Sequence, residues 1–251
     1  MVFHGGVDGY SRSVVFLRIA DNNRSSTVFA AFLDATLAYG VPSRVRSDHG
    51  GENVDVANFM LVHSGTGRGS MLTGASTHNQ RVERFWRDLF TGCTQVFYNL
   101  FLSLEENNLL DLANDTHMFA LHYVFLPLIQ HRIDSFVEQY NNHPIRTEHN
   151  RTPRQLFISG AVNNYTTSTA TRNGIFSRSG ELGSTTHDTT TTSLTDHLAP
   201  TVEPPTVPCP LSTHQLHLLQ ARVHPVEHCQ DLIGKDVYLR TVHETHALLQ
   251  E

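Results

Sequence analysis

Only one lysine, Lys235, occurs in the chain of 251 residues, and only three cysteines, Cys93, Cys209 and Cys229. Cysteines so few and scattered make no disulfide framework, so a reducing, intracellular setting is expected. Long apolar runs are missing too. The best, "MFALHYVFLPLI" at 118–129, is interrupted by His122 and Pro127 and falls short of the roughly 18 residues a membrane span needs. A soluble chain with no membrane partner is the expectation. The first residues offer neither a basic segment nor a clean apolar one, so no secretory signal is legible.

Positive charge is also short, with 18 Lys and Arg against 24 Asp and Glu and a net charge of −6. That argues against holding nucleic acid by bulk electrostatics, but not against a local basic patch. Residues 1–160 carry 13 arginines and no lysine beside 15 acids. Arginine contacts phosphate bidentately where lysine cannot, which suits a phosphate-facing surface, although compositional drift would give the same bias.

Residues 1–160 read as alternating strand and helix. "VVFLRIA" is β-branched and aromatic, and the "GYS" before it marks a turn from a preceding strand. "TVFAAFLDATLAYG" has helical spacing and stops at Gly40 and Pro42; "SRVRSD" is a short strand ending on Asp48. "NVDVANFMLVH" is helical, "SGTGRGS" a loop, and from Asn79 to Phe101 Val82, Phe85, Trp86, Leu89, Cys93, Val96 and Phe97 form one apolar stripe. A long helix follows from Leu109 to about Asn141, with Pro127 expected to kink it. "NNHPIRTEHNRTPRQLF" closes the domain, Pro153 opening a short helix. Residues 161–208 are rich in Thr, Ser and Pro and read as a disordered linker; residues 209–251 regain helical spacing as a small amphipathic tail.

Several acids could carry chemistry. Asp8, between glycines in "HGGVDGYSR", is either a catalytic carboxylate or a turn residue. Asp48 ends a strand ahead of two glycines, where α/β folds place their sites, and Glu83 sits one turn into a helix at the border of its apolar stripe. Two carboxylates brought together need a cation between them, and oxygen ligands suit Mg²⁺ or Mn²⁺, which can drive in-line phosphoryl transfer. The plain alternative is a turn former and a helix-dipole partner. Arg81, Arg84 and Arg87 flank Glu83 and could meet phosphates, or simply form a solvated helix face. His214, His217, His224, His228 and Cys229 match no common zinc spacing, and Cys93 on the apolar stripe reads as a core residue.

"VPSRVRSDHGGEN" followed by "HNQRVERFWRDLF" resembles the core of the retroviral-type integrases of transposable elements. Asp48 and Glu83 match the second and third acids of that family's Asp, Asp, Glu triad, with Asn79 four residues before the Glu; "TPRQLF" after "YNNHPIR" resembles the way such domains close. The resemblance covers residues 1–160 and implies an α/β, ribonuclease H-like mixed sheet of five strands flanked by helices. It implies metal-dependent phosphoryl transfer on DNA, with Asp48 and Glu83 as catalytic metal ligands for Mg²⁺ or Mn²⁺ and with Asn79, Arg81 and Arg84 facing nucleic acid. DNA is the expected partner, with a homo-oligomer as a second one, and the nucleus the expected location. "HGGVDGYSR" matches the family's second strand, so Asp8 is expected not to be the first triad acid, the first strand to lie before Met1, and catalysis to be impaired. The alternative is a non-catalytic, domesticated module that binds nucleic acid or protein.

Overall fold

The computed structural model describes residues 1–65, 67–74, 80–163, 204–227, 229 and 233–250. The Thr/Ser-rich stretch read as a linker falls almost wholly outside the described residues, as do Asn79 and His228.

Strand β1 (Val2–Val7) pairs antiparallel with β2 (Val14–Ala20), Phe3 opposite Ile19 and Gly5 opposite Leu17. Their turn closes with Asp8 N–H donating to Ser13 O at 2.8 Å and Arg12 N–H to Asp8 O at 3.0 Å. Arg12 adopts the left-handed φ of 65°, and its guanidinium reaches Glu148 at 3.2 Å. The preceding strand anticipated from "GYS" is therefore β1. Helix α1 (Ser25–Tyr39) crosses to β3 (Val45–Ser47), and α2 (Val54–Ser64) crosses from β3 to β4 (Met71–Thr73). Strands β3 and β4 are parallel, with Val45 opposite Met71 and Ser47 opposite Thr73.

One continuous five-stranded sheet is not what the described residues form. Their four strands make two separate pairs, a hairpin held by its own turn and a parallel pair joined through α2. β4 escapes a reading of the sequence because three residues after a Gly-rich loop are too short to show alternation.

The long apolar stripe becomes α3 (Gln80–Leu89), a wider π turn at Phe90–Thr94 that includes Gly92, and α4 (Gln95–Glu106). Helix α5 (Asp115–Asn142) runs on through Pro127, its first turn capped by Asn114 Oδ1, which accepts from Thr116 N–H at 2.9 Å and His117 N–H at 3.3 Å. Residues 153–163 form α6. Beyond the undescribed stretch come α7 (Thr213–Arg222), opened by a Ser212–Gln215 capping box, and α8 (Lys235–Gln250).

Two apolar clusters hold these elements. The larger gathers Leu17 of β2, Phe85 of α3, Phe97 of α4 and Phe125 and Ile133 of α5 with Leu219, Tyr238 and Leu248 of the C-terminal helices. Full burial of a side chain such as Phe125 contributes about 2–3 kcal/mol, so the C-terminal helices are structural partners of α5. Tyr238 OH donates to Leu109 O at 3.1 Å and Tyr123 OH to Val223 O at 2.8 Å, giving the buried Tyr238 and the half-buried Tyr123 each an acceptor. The smaller cluster packs Val28 and Phe32 of α1 on Val56 and Met60 of α2, with Val45 of β3 against them.

Candidate functional site

Asp8 is a turn residue by its geometry. Its Oδ2 accepts from Tyr10 N–H at 3.1 Å, Ser11 N–H at 2.7 Å and Ser11 Oγ–H at 2.7 Å. Three donors on one oxygen fix the carboxylate over its own loop, which answers the question its position raised.

Asp48 follows β3 directly and is exposed. Val45 N–H donates to Ser70 O at 2.8 Å and Gly74 N–H to Ser47 O at 3.2 Å, so pairing with β4 holds the strand up to the residue before Asp48. A 3₁₀ turn at Gly51–Asn53 then brings the Asn53 amide back: Nδ2 donates to Asp48 Oδ1 at 3.2 Å and to Glu52 Oε1 at 3.3 Å. One amide thus joins two carboxylates. Glu52 folds over Gly50, where an added Cβ would lie 2.1 Å from Glu52 Oε1, so any side chain there would displace the Glu52 carboxylate. A reading of single acids after strands misses Glu52 and Asn53; the signal was the i, i+4, i+5 run of Asp48, Glu52 and Asn53 in "SDHGGEN".

Glu83 lies in the first turn of α3, exposed, on a helix whose buried face is Phe85 and Leu89. Phe85 seats α3 against α5, 5.3 Å from the Tyr140 ring and 6.3 Å from Phe136. Trp86 seats it against β1, where a Cβ on Gly5 would come 3.0 Å from Trp86 Cη2. Arg81 and Arg84 also project into solvent; Arg84 pairs with Asp88 at 3.9 Å, an exposed i, i+4 contact of little energetic weight. Burial raises the Tyr140 phenol pKa, Asp88 raising it further while Arg84 and Arg12 oppose the shift.

Among the described residues no three His, Cys, Asp or Glu side chains stand together as a metal-binding group. The donors themselves suit a hard divalent ion, since Asp48, Glu52 and Glu83 offer carboxylate oxygens only. Cys93 packs against the larger core, where burial raises its thiol pKa. No helix among the described residues is long and apolar enough to cross a membrane.

The structure thus defines a mixed α/β protein that presents exposed carboxylates and arginines on β3 and α3. Residues 1–171, more than half of the chain, match the family model of the integrase core domain, and the chain belongs to that family, one tied to DNA integration and transposable elements. No curated protein and no solved structure matches it.

Proposed function

We propose that this chain is the DNA-handling core of an integrase-type polynucleotidyl transferase on a ribonuclease H-like fold. The observation that carries the reading is the family match over residues 1–171 together with the exposure of Asp48 at the end of β3 and of Glu83 in the first turn of α3. Asp48 and Glu83 are the residues that would hold Mg²⁺ or Mn²⁺, which when bound supplies a Lewis acid for phosphoryl transfer. The Asn53 amide orients the Asp48 carboxylate by donating to one of its oxygens. Arg81 and Arg84, with Asn79 just before them in sequence, meet the DNA backbone from α3.

A second reading is favoured by the three hydrogen bonds that bind Asp8 to its own turn. With that acid so held, the scaffold would bind nucleic acid, or a protein partner, with little catalysis of its own.

Incubation of labelled duplex DNA with the full chain in Mg²⁺ or Mn²⁺, beside Glu83→Gln, tests both. Cleavage or joining lost in Glu83→Gln supports catalysis. Equal activity in the two removes Glu83 from it. Binding without any turnover in either protein supports the second reading in its nucleic-acid form, and no DNA binding at all overturns the catalytic reading and leaves only a protein-binding module.

A further inference from the structure

We infer that the outward face of β3 is a phosphate-binding strip, in which Arg44 and Arg46 grip successive backbone phosphates of a DNA strand and lead it to Asp48. The inference rests on the DNA-handling reading and adds to it a second contact surface, on a different element from α3.

Exposure alternates with the period of a strand through β3 and the one residue on either side of it. Arg44, Arg46 and Asp48 are exposed, while Val45 and Ser47 between them are half-buried. Val45 fixes which face is which, because it packs against the α1–α2 cluster of Val28, Phe32, Val56 and Met60. The two guanidiniums and the Asp48 carboxylate therefore share the opposite face, with Cα atoms stepping about 6.6 Å from each to the next. Successive phosphates along a nucleic-acid strand are separated on the same scale, so two arginines two residues apart can each take one. Leu72 stands opposite Arg46 on β4 and is 37% exposed, an apolar surface for the arginine stem to lie along.

Neither Arg44 nor Arg46 takes part in an ion pair among the described residues, whereas Arg12, Arg18, Arg84, Arg154 and Arg222 each face an acid. A third exposed cation joins them from the loop before β4. Arg68 lies between Gly67 and Gly69, both at left-handed φ, two residues ahead of the Ser70 carbonyl that accepts from Val45 N–H. Arg44 and Arg68, just ahead of the first paired residues of β3 and β4, with Arg46 inside β3, make the local basic patch that a net charge of −6 left open.

Anisotropy titrations of the full chain against a labelled duplex of arbitrary sequence, in EDTA over a salt series, test the strip without any catalysis. Arg44→Gln/Arg46→Gln should bind more weakly at low salt, with the slope of log K against log salt shallower by about 1.8, or about 0.9 for each phosphate no longer neutralised. Arg151→Gln/Arg154→Gln, which removes the same charge elsewhere, should keep the wild-type slope. Wild-type binding with an unchanged slope in the β3 variant overturns the strip and leaves the DNA-handling reading standing. An equal fall in the control variant shows bulk charge and also overturns the strip. No salt-dependent binding by the wild type overturns both.

Discussion

Asn141 Oδ1 accepts the Val14 N–H at 2.8 Å while its Nδ2 donates to the Val14 carbonyl at 2.9 Å, so one side-chain amide on α5 stands where a neighbouring strand would pair. Gln130 repeats the device, accepting from Ile19 N–H at 3.1 Å and donating to Leu17 O at 3.3 Å. Eleven residues of helix rise about 16.5 Å, close to the reach of β2 from Val14 to Ile19, so the two amides match the strand they cap. The backbone groups of Val14, Leu17 and Ile19 that these amides partner are no longer open to a foreign strand.

Replacing the buried Asn141 by Ala leaves two backbone groups of Val14 without partners. The expected cost is about 2–4 kcal/mol in urea unfolding, since each orphaned group loses its desolvation compensation. Gln130→Ala, at a half-buried position, should cost about 1 kcal/mol because water can replace the amide there. Similar losses at the two sites would show that burial does not set the difference.

Asp8→Ala removes one acceptor from three donors and should destabilise the hairpin by about 1–2 kcal/mol, seen as a lower urea midpoint. Its DNA affinity should match that of the wild type. Unchanged stability with lost metal-dependent activity would instead make Asp8 a catalytic acid.

Much of the architecture is legible from local pattern: β2, α1, β3, α2 and α5 stand close to where apolar spacing and the breakers at Gly40 and Pro42 put them. What local pattern cannot carry is pairing at a distance. The amides of Asn141 and Gln130 look like ordinary polar residues late in a helix, and only the fold brings them 127 and 111 residues back along the chain to β2. The stripe from α3 to α4 reads as one helix because a π turn shifts the register without breaking it. At the candidate site, Asp48 and Glu83 were visible through motif spacing, whereas Glu52 and Asn53 gain meaning only when the 3₁₀ turn folds them back on Asp48.

Gly234 precedes α8 at φ 86°, and a Cβ there would lie 2.5 Å from Leu128 Cδ2 and 3.3 Å from Phe125 Cε1. Gly234→Ala therefore meets backbone strain and overpacking together, about 2–4 kcal/mol in all. The expected readout is a lower melting temperature with faster proteolysis of the C-terminal helices. Normal protease resistance would show that α8 can shift on α5 at little cost.

Burial pushes the Tyr238 phenol up to about 12, while an unfolded tyrosine titrates near 10. The unfolded chain thus releases this proton first as pH rises, so stability is fully present below about pH 10 and falls between about 10 and 12. Alkaline unfolding should be less steep over that window in Tyr238→Phe. Indistinguishable pH profiles for the two proteins would remove Tyr238 as the titrating group.

The seat of α3 on β1 offers the most direct link between packing and the proposed DNA surface. Gly5 has Leu17 Cδ1 and Trp86 Cη2 each 3.0 Å from where its Cβ would be, so the helix approaches the strand as closely as the missing side chain allows. Gly5→Val must push the indole outward, at a cost of about 1–3 kcal/mol, and the same helix carries Arg81, Glu83 and Arg84. Trp86 is the only tryptophan in the chain, so its fluorescence reports the displacement without interference. A red-shifted emission together with weaker DNA binding is the expected result, because the arginines move with the indole. A red shift with unchanged affinity would mean that the α3 arginines contribute no contact whose position matters, and DNA recognition would then fall to β3.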